Sequence, residues 1–111
     1  MKYFCTETER KASKSTCYFE FQKGRHKGKH WLKDSISIHD DLLSDEIYQV
    51  FVVAISQFDT FGITEVTKEQ WQQVKSRAEL VGGEALVAIM EMEAWVTKCF
   101  EEEAVFTICG I

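Results

Sequence analysis

Near residue 40 the apolar residues of this chain change their period. Upstream they alternate: within 16–22, Cys17, Phe19 and Phe21 fall on one side and Tyr18, Glu20 and Gln22 on the other. That is the period of two of a β-strand with one buried face. Ile36 and Ile38 repeat it within 35–39, a strand that can begin as early as Trp31. Downstream, Ile47, Val50, Phe51, Ala54, Ile55 and Phe58 recur at helical spacing and make one stripe. A chain that builds strands first and helices afterwards folds as α+β.

Other segments fill in the order. Residues 3–6 read as a short strand, and the polar stretch 9–15 reads as a mobile loop. Three strands in succession suggest an antiparallel meander. Ser44 caps a helix over 44–58, with Asp45 and Glu46 in its first turn, where the helix dipole favours anions. Residues 61–66 form a short extended piece. Thr67 and Gln70 then have capping-box spacing, flanked by Val66 and Trp71 as a hydrophobic staple. The next helix carries the narrow stripe Trp71, Val74, Ala78 and Val81 and ends at Gly82-Gly83. A third helix over 84–102 has a broad apolar arc, and 104–109 reads as a final strand. The expected fold is one α+β domain over 1–111, an antiparallel sheet of four or five strands packed against three helices, in the order β-β-β-α-β-α-α-β. Phe51 and Trp95, on the two widest stripes, are the expected helical anchors of the core.

With 111 residues, 45% apolar and 28% charged, the chain has the composition of a single globular domain. Its longest apolar run, 50–55, is too short to cross a membrane. The first residues turn polar too early for a signal peptide, so a cytoplasmic location and no membrane partner are expected. Charge is divided unevenly. Residues 1–33 hold nine Lys/Arg against three Asp/Glu, a net of +6, whereas 34–111 hold four against fifteen, a net of -11. Such a split gives a folded protein one basic and one acidic surface, either able to steer a charged partner.

Chemistry-bearing motifs are scarce. Cys5, Cys17, Cys99 and Cys109 include no C-x-x-C pair, and without a secretion signal they read as reduced thiols packed as small hydrophobes. No metal, cofactor or catalytic site is expected, since neither a nucleophile elbow, a P-loop, a dinucleotide turn nor an EF-hand spacing is present. Residues 23–30 hold Lys23, Arg25, Lys27 and Lys29 beside His26 and His30. This loop offers cations to phosphates, and Trp31 or Tyr18 could stack on a base, so RNA or single-stranded DNA is one candidate partner. His26 and His30 would chelate from a helix, which Gly28 between them disfavours. A small enzyme using a cysteine or histidine is a further alternative.

Residues 61–71, Phe61-Gly62-Ile63-Thr64-Glu65-Val66-Thr67-Lys68-Glu69-Gln70-Trp71, resemble a motif of small bacterial immunity proteins. In those an aromatic-Gly-x-Thr-Glu-Ile strand runs into a Ser/Thr-capped helix. The resemblance covers about a tenth of the chain. It implies that the protein binds a cognate toxin domain, often a nuclease, and blocks it without catalysis of its own. An acidic inhibitor surface competes for the cations that a nuclease presents to phosphate. The candidate epitope is Asp40, Asp41, Asp45, Glu46 and Asp59, with Glu101, Glu102 and Glu103 as a second choice.

Overall fold

Phe4, Phe19, Phe21, Ile36, Ile38, Val66, Phe106 and Ile108 are all buried, one alternate set from each of five strands. Together they pave one face of a sheet. The computed structural model describes residues 1–111. Its elements are β1 (Phe4–Thr6), α1 (Glu7–Ser13), β2 (Tyr18–Lys23), β3 (Ile36–His39), α2 (Asp45–Ala54), β4 (Ile63–Thr67), α3 (Lys68–Val81), α4 (Gly83–Glu102) and β5 (Val105–Cys109), with a 3-10 turn over Asp40–Leu42. The fold is α+β, with a single five-stranded, wholly antiparallel sheet in the order β1-β3-β2-β5-β4.

Two expectations are corrected. The strands do not form a meander, because β1 pairs with β3 (Phe4↔Ile38) and leaves β2 on the far side of β3. The polar stretch after β1 is a fourth helix, not a loop. Thr6 caps α1 in a full capping box with Glu9, and Glu7 pairs with Arg10 one turn on, at 2.6 Å. These local bonds hold a helix that has almost no apolar stripe.

Helices α2, α3 and α4 cover the apolar face. Ser44 caps α2 and Thr67 caps α3, the latter with the Gln70 capping box that its spacing predicts. Val66 and Trp71 are both buried beside that cap. Helix α2 ends at Ala54, four residues short of the predicted limit, because the chain turns there to enter β4; Ile55 and Phe58 still pack on the core. Gly82, at φ 68°, is the whole connection between α3 and α4, a backbone conformation that disfavours any side chain. Phe51 is buried as expected, whereas Trp95 is only half-buried and donates its indole N–H to the Asp34 carbonyl at 2.8 Å. Val81, expected on the α3 stripe, is exposed. No helix is long and apolar enough to cross a membrane.

Candidate functional site

The second face of the sheet departs furthest from the sequence reading. Glu20 and Gln22 alternate with Phe19 and Phe21, so they read as the solvent side of β2, yet both are buried. So are Ser35, Ser37 and Thr107, and with Cys109 they form a polar layer on this face. Its cover is α1 and the segment 24–35, which leaves the sheet after β2 and folds back over it.

Glu20 and Gln22 hold that segment down. The Glu20 carboxylate accepts from the Leu32 N–H at 2.8 Å, the Ser35 hydroxyl at 2.6 Å and the Gln22 amide at 3.0 Å. Gln22 donates a second bond to the Lys29 carbonyl at 2.8 Å. Both of those partners only accept, so the orientation of the Gln22 amide is settled and its oxygen must accept from His26 Nδ1, at 2.8 Å. Thr107 donates to the Gly24 carbonyl at 2.7 Å. Gly24 itself has φ 76°, a backbone conformation that strains any side chain, and it packs against the Glu103 carboxylate. On the α1 side Arg10 is buried, bonded to Glu7 and to the Ser15 carbonyl, with its guanidinium 4.0 Å from the Trp31 ring centre. Trp31 adopts a left-handed φ of 59°, rare for a bulky residue, and no longer belongs to a strand. Ser37 carries the one buried side-chain oxygen without a hydrogen-bond partner.

This layer brings together side chains distant in sequence. Glu20 and Cys109 are cross-strand partners on β2 and β5. His30 reaches over them, with Nδ1 3.8 Å from Glu20 Oε1. The donor atoms of Glu20, His30 and Cys109 all lie within 4.8 Å of one another. His26 lies against His30, ring centres 4.8 Å apart and planes tilted by 49°, with its Nδ1 3.9 Å from Cys109 Sγ. The two histidines meet without a helix, across a loop that Gly28 turns at φ 86°.

All four cysteines are free. Cys99 and Cys109 are buried, Cys5 is half-buried and Cys17 is exposed just before β2, so the expectation of packed thiols fails for Cys17. Burial, and after it the Glu20 charge, pushes the Cys109 thiol up to about 12. Burial also raises Cys99 and Cys5. A thiol so raised is protonated at neutral pH and is a poor nucleophile, despite the nearby His26. Iodoacetamide at pH 8 is therefore expected to modify Cys17 rapidly in the native protein and to spare Cys99 and Cys109 until it unfolds. Mass mapping of the alkylated peptides checks this, and rapid labelling of Cys109 would overturn it.

The acidic candidates lie elsewhere and are all exposed. Asp40 and Asp41 follow β3, and Asp59 precedes β4, at the same end of the sheet. β3 and β4 are three strand spacings apart there, roughly 14 Å. Asp45 and Glu46 open α2, whose Tyr48 hydroxyl bonds Thr60 Oγ1; the Glu46 carboxylate lies beside Gly83 at the start of α4. None of the five has a Lys or Arg within ion-pair distance. His39 Nδ1 lies 3.7 Å from Asp41 but accepts the Asp41 N–H, so it carries no proton to offer the carboxylate. The second-choice residues Glu101, Glu102 and Glu103 are at the C-terminal end of the 20-residue helix α4, just before β5 and so at the opposite end of the sheet. There Glu103 abuts Gly24 of the basic segment, and Glu101 shares a surface hollow with Lys68 and Lys75.

The class defined by this architecture is an α+β domain with three helices on one sheet face and a polar, loop-covered layer on the other. No family model, no curated protein and no solved structure matches the chain.

Proposed function

We propose that this protein is an inhibitor of immunity type, which neutralises a basic toxin domain, such as a nuclease, by one-to-one binding. The interface in this reading is the sheet end bearing Asp40, Asp41, Asp45, Glu46 and Asp59. The observation that supports it is Phe61, 82% exposed in the turn beside Asp59, at the end of the sheet that also carries Asp40 and Asp41. Ile63 and Ile111 are exposed near it, since the Ile111 N–H bonds the Thr60 carbonyl. An aromatic anchor with an acidic rim is the composition that binds a cationic protein surface tightly. The carboxylates accelerate encounter and the aromatic ring slows release.

Affinity capture from the native cell, followed by mass spectrometry, identifies the partner, and binding kinetics then test the surface. Reversing Asp40, Asp41, Asp45 and Glu46 to Lys is expected to slow association by about 10–100-fold, as added salt does for the wild type. Phe61→Ala is expected to raise the dissociation rate by about 30-fold, the effect of a central aromatic anchor. Capture of the same proteins by wild-type and charge-reversed forms, or an unchanged rate, would sink the proposal.

A second reading rests on a different surface. Lys23, Arg25, Lys27 and Lys29 line a single hollow of about 160 Å³ with Leu32. Of the four, only Arg25 has an acidic partner, Glu65 at 4.0 Å. Cations converging on one hollow suit the phosphates of RNA or single-stranded DNA. Replacing all four with Ala is then expected to abolish oligonucleotide binding, and wild-type affinity to fall steeply with salt. An absence of any gel shift at low salt ends this reading.

A further inference from the structure

We propose that Glu20, His30 and Cys109 form a binding site for one divalent transition-metal ion, with Zn²⁺ the ion their chemistry suits. One carboxylate, one imidazole and one thiol place their donor atoms within 4.8 Å of one another. A tetrahedral zinc ion with bonds of about 2.0–2.3 Å holds its donors roughly 3.3–3.8 Å apart. The Glu20–His30 separation of 3.8 Å is about 0.4 Å wider than a zinc-bound oxygen–nitrogen pair, and the widest separation in the cluster must close by about 1 Å.

The elements divide the work between two rigid ligands and one adaptable one. Glu20 and Cys109 are locked side by side in β2 and β5. His30 has a side chain 51% exposed on the covering loop, two residues after Gly28, so it can close on the ion. Glu20 is oriented by its neighbours: Leu32 N–H and Ser35 O–H occupy Oε2, while Oε1 accepts one bond from the Gln22 amide and keeps its second lone pair for an ion beside His30. The His26 Nδ1–H is donated to Gln22, which Lys29 holds, so the imidazole is fixed with Nδ1 3.9 Å from Cys109 Sγ. Supporting bonds of this kind orient the ligands of known metal sites.

The donor set also selects the ion. Thiolate and imidazole disfavour Mg²⁺ and Ca²⁺, which take oxygen ligands, and suit Zn²⁺ or Co²⁺. Zn²⁺ with one thiolate and one carboxylate is net neutral, the cheapest charge state for a layer where Glu20 is only 1% exposed. Binding breaks the Cys109 S–H bond, sends that proton to solvent and forms the S–Zn bond, with no electron transferred. A water completes the coordination. The ion would thereby pin the basic segment 24–35 to the sheet.

The test uses the full chain, stripped with a chelator under reducing conditions and titrated with Co²⁺. A thiolate-to-cobalt charge-transfer band, with the visible bands of tetrahedral cobalt, is expected to saturate at one equivalent and to vanish when Zn²⁺ is added. Cys109→Ser is expected to lose the charge-transfer band, and Cys17→Ser to keep it. His30→Ala, at a half-exposed position that the fold tolerates, is expected to weaken Zn²⁺ by ~100-fold, and His26→Ala by roughly 10–100-fold. Circular dichroism verifies the fold of each variant, and His30→Ala decides the matter should Cys109→Ser not fold. A folded wild type without the band, a band that survives in Cys109→Ser, or an unchanged Zn²⁺ affinity in His30→Ala would overturn the site.

Discussion

Phe106→Ala is expected to lower the unfolding free energy by about 3–5 kcal/mol, the range for deleting a fully enclosed aromatic ring. Phe106 is fully buried in β5, between β2 and β4. Its ring meets Phe21, Trp71, Trp95 and Phe100 at centroid distances of 5.9–6.1 Å. Those four come from β2, α3 and α4, so one side chain ties the sheet to two helices. Aromatic pairs at such distances add about 0.5–1.5 kcal/mol each to the burial of area. Against a total stability of about 5–15 kcal/mol, the loss consumes a large share of the margin. Urea unfolding at 25 °C measures it, and a loss below about 1 kcal/mol would mean that the pocket closes over the gap. Trp95→Ala is expected to cost less, because Trp95 is half-buried and one side of its pocket is already open to water.

The second large effect is expected at Glu20, with no metal added. Glu20→Ala removes the acceptor of three bonds and leaves the Leu32 N–H, the Ser35 hydroxyl and the Gln22 amide facing an apolar methyl. A buried donor left without a partner costs about 1–3 kcal/mol. The segment 24–35 can lift and let water reach some of these groups, so the sum is about 3 kcal/mol rather than three full penalties. Hydrogen exchange is the discriminating measurement. The Leu32 amide is expected to lose its protection in Glu20→Ala while the amides of β5 keep theirs. Wild-type stability and wild-type protection of Leu32 in the variant would show that Glu20 does not hold the loop.

What was legible along the chain was local. The capped helix after Thr67 follows from a capping box, a staple and a stripe within sixteen residues, and the structure reproduces all of them except Val81, which is exposed. Helix α2 and the final strand came through for the same reason. Helix α1 carries the same type of cap, Thr6 with Glu9, yet it escaped notice because Arg10 is its only buried residue. A helix without an apolar stripe gives periodicity nothing to detect. Pairing of β1 with β3 was equally hidden, since β1 has three residues and strand length does not specify a neighbour.

The acidic residues were readable as residues but not as a surface. Asp40, Asp41, Asp45 and Glu46 adjoin in sequence, and only the sheet order brings Asp59 and Phe61 to the end of the sheet that carries Asp40 and Asp41. The Glu20–His30–Cys109 cluster had no sequence signal at all. His30 lies ten residues after Glu20, and Cys109 lies 79 residues further along. No ligand-spacing rule spans that, because antiparallel pairing of β2 with β5 is what sets Cys109 beside Glu20.

The sequence by itself therefore determined which segments are strands, which long segments are helices, and which side of β2 and β3 meets the helical layer. Those properties depend on periodicity and on caps, which act within a few residues. Tertiary structure alone decided what lies over the other side of the sheet. A period of two tells the two faces of a strand apart but says nothing of what covers each. Glu20, Gln22 and Cys109 became interior groups only because segment 24–35 folded back and found hydrogen bonds there. Burying a polar row is costly unless its groups find partners, and for all but Ser37 these exist, those of Glu20 and Gln22 coming largely from a loop whose own sequence looks solvated.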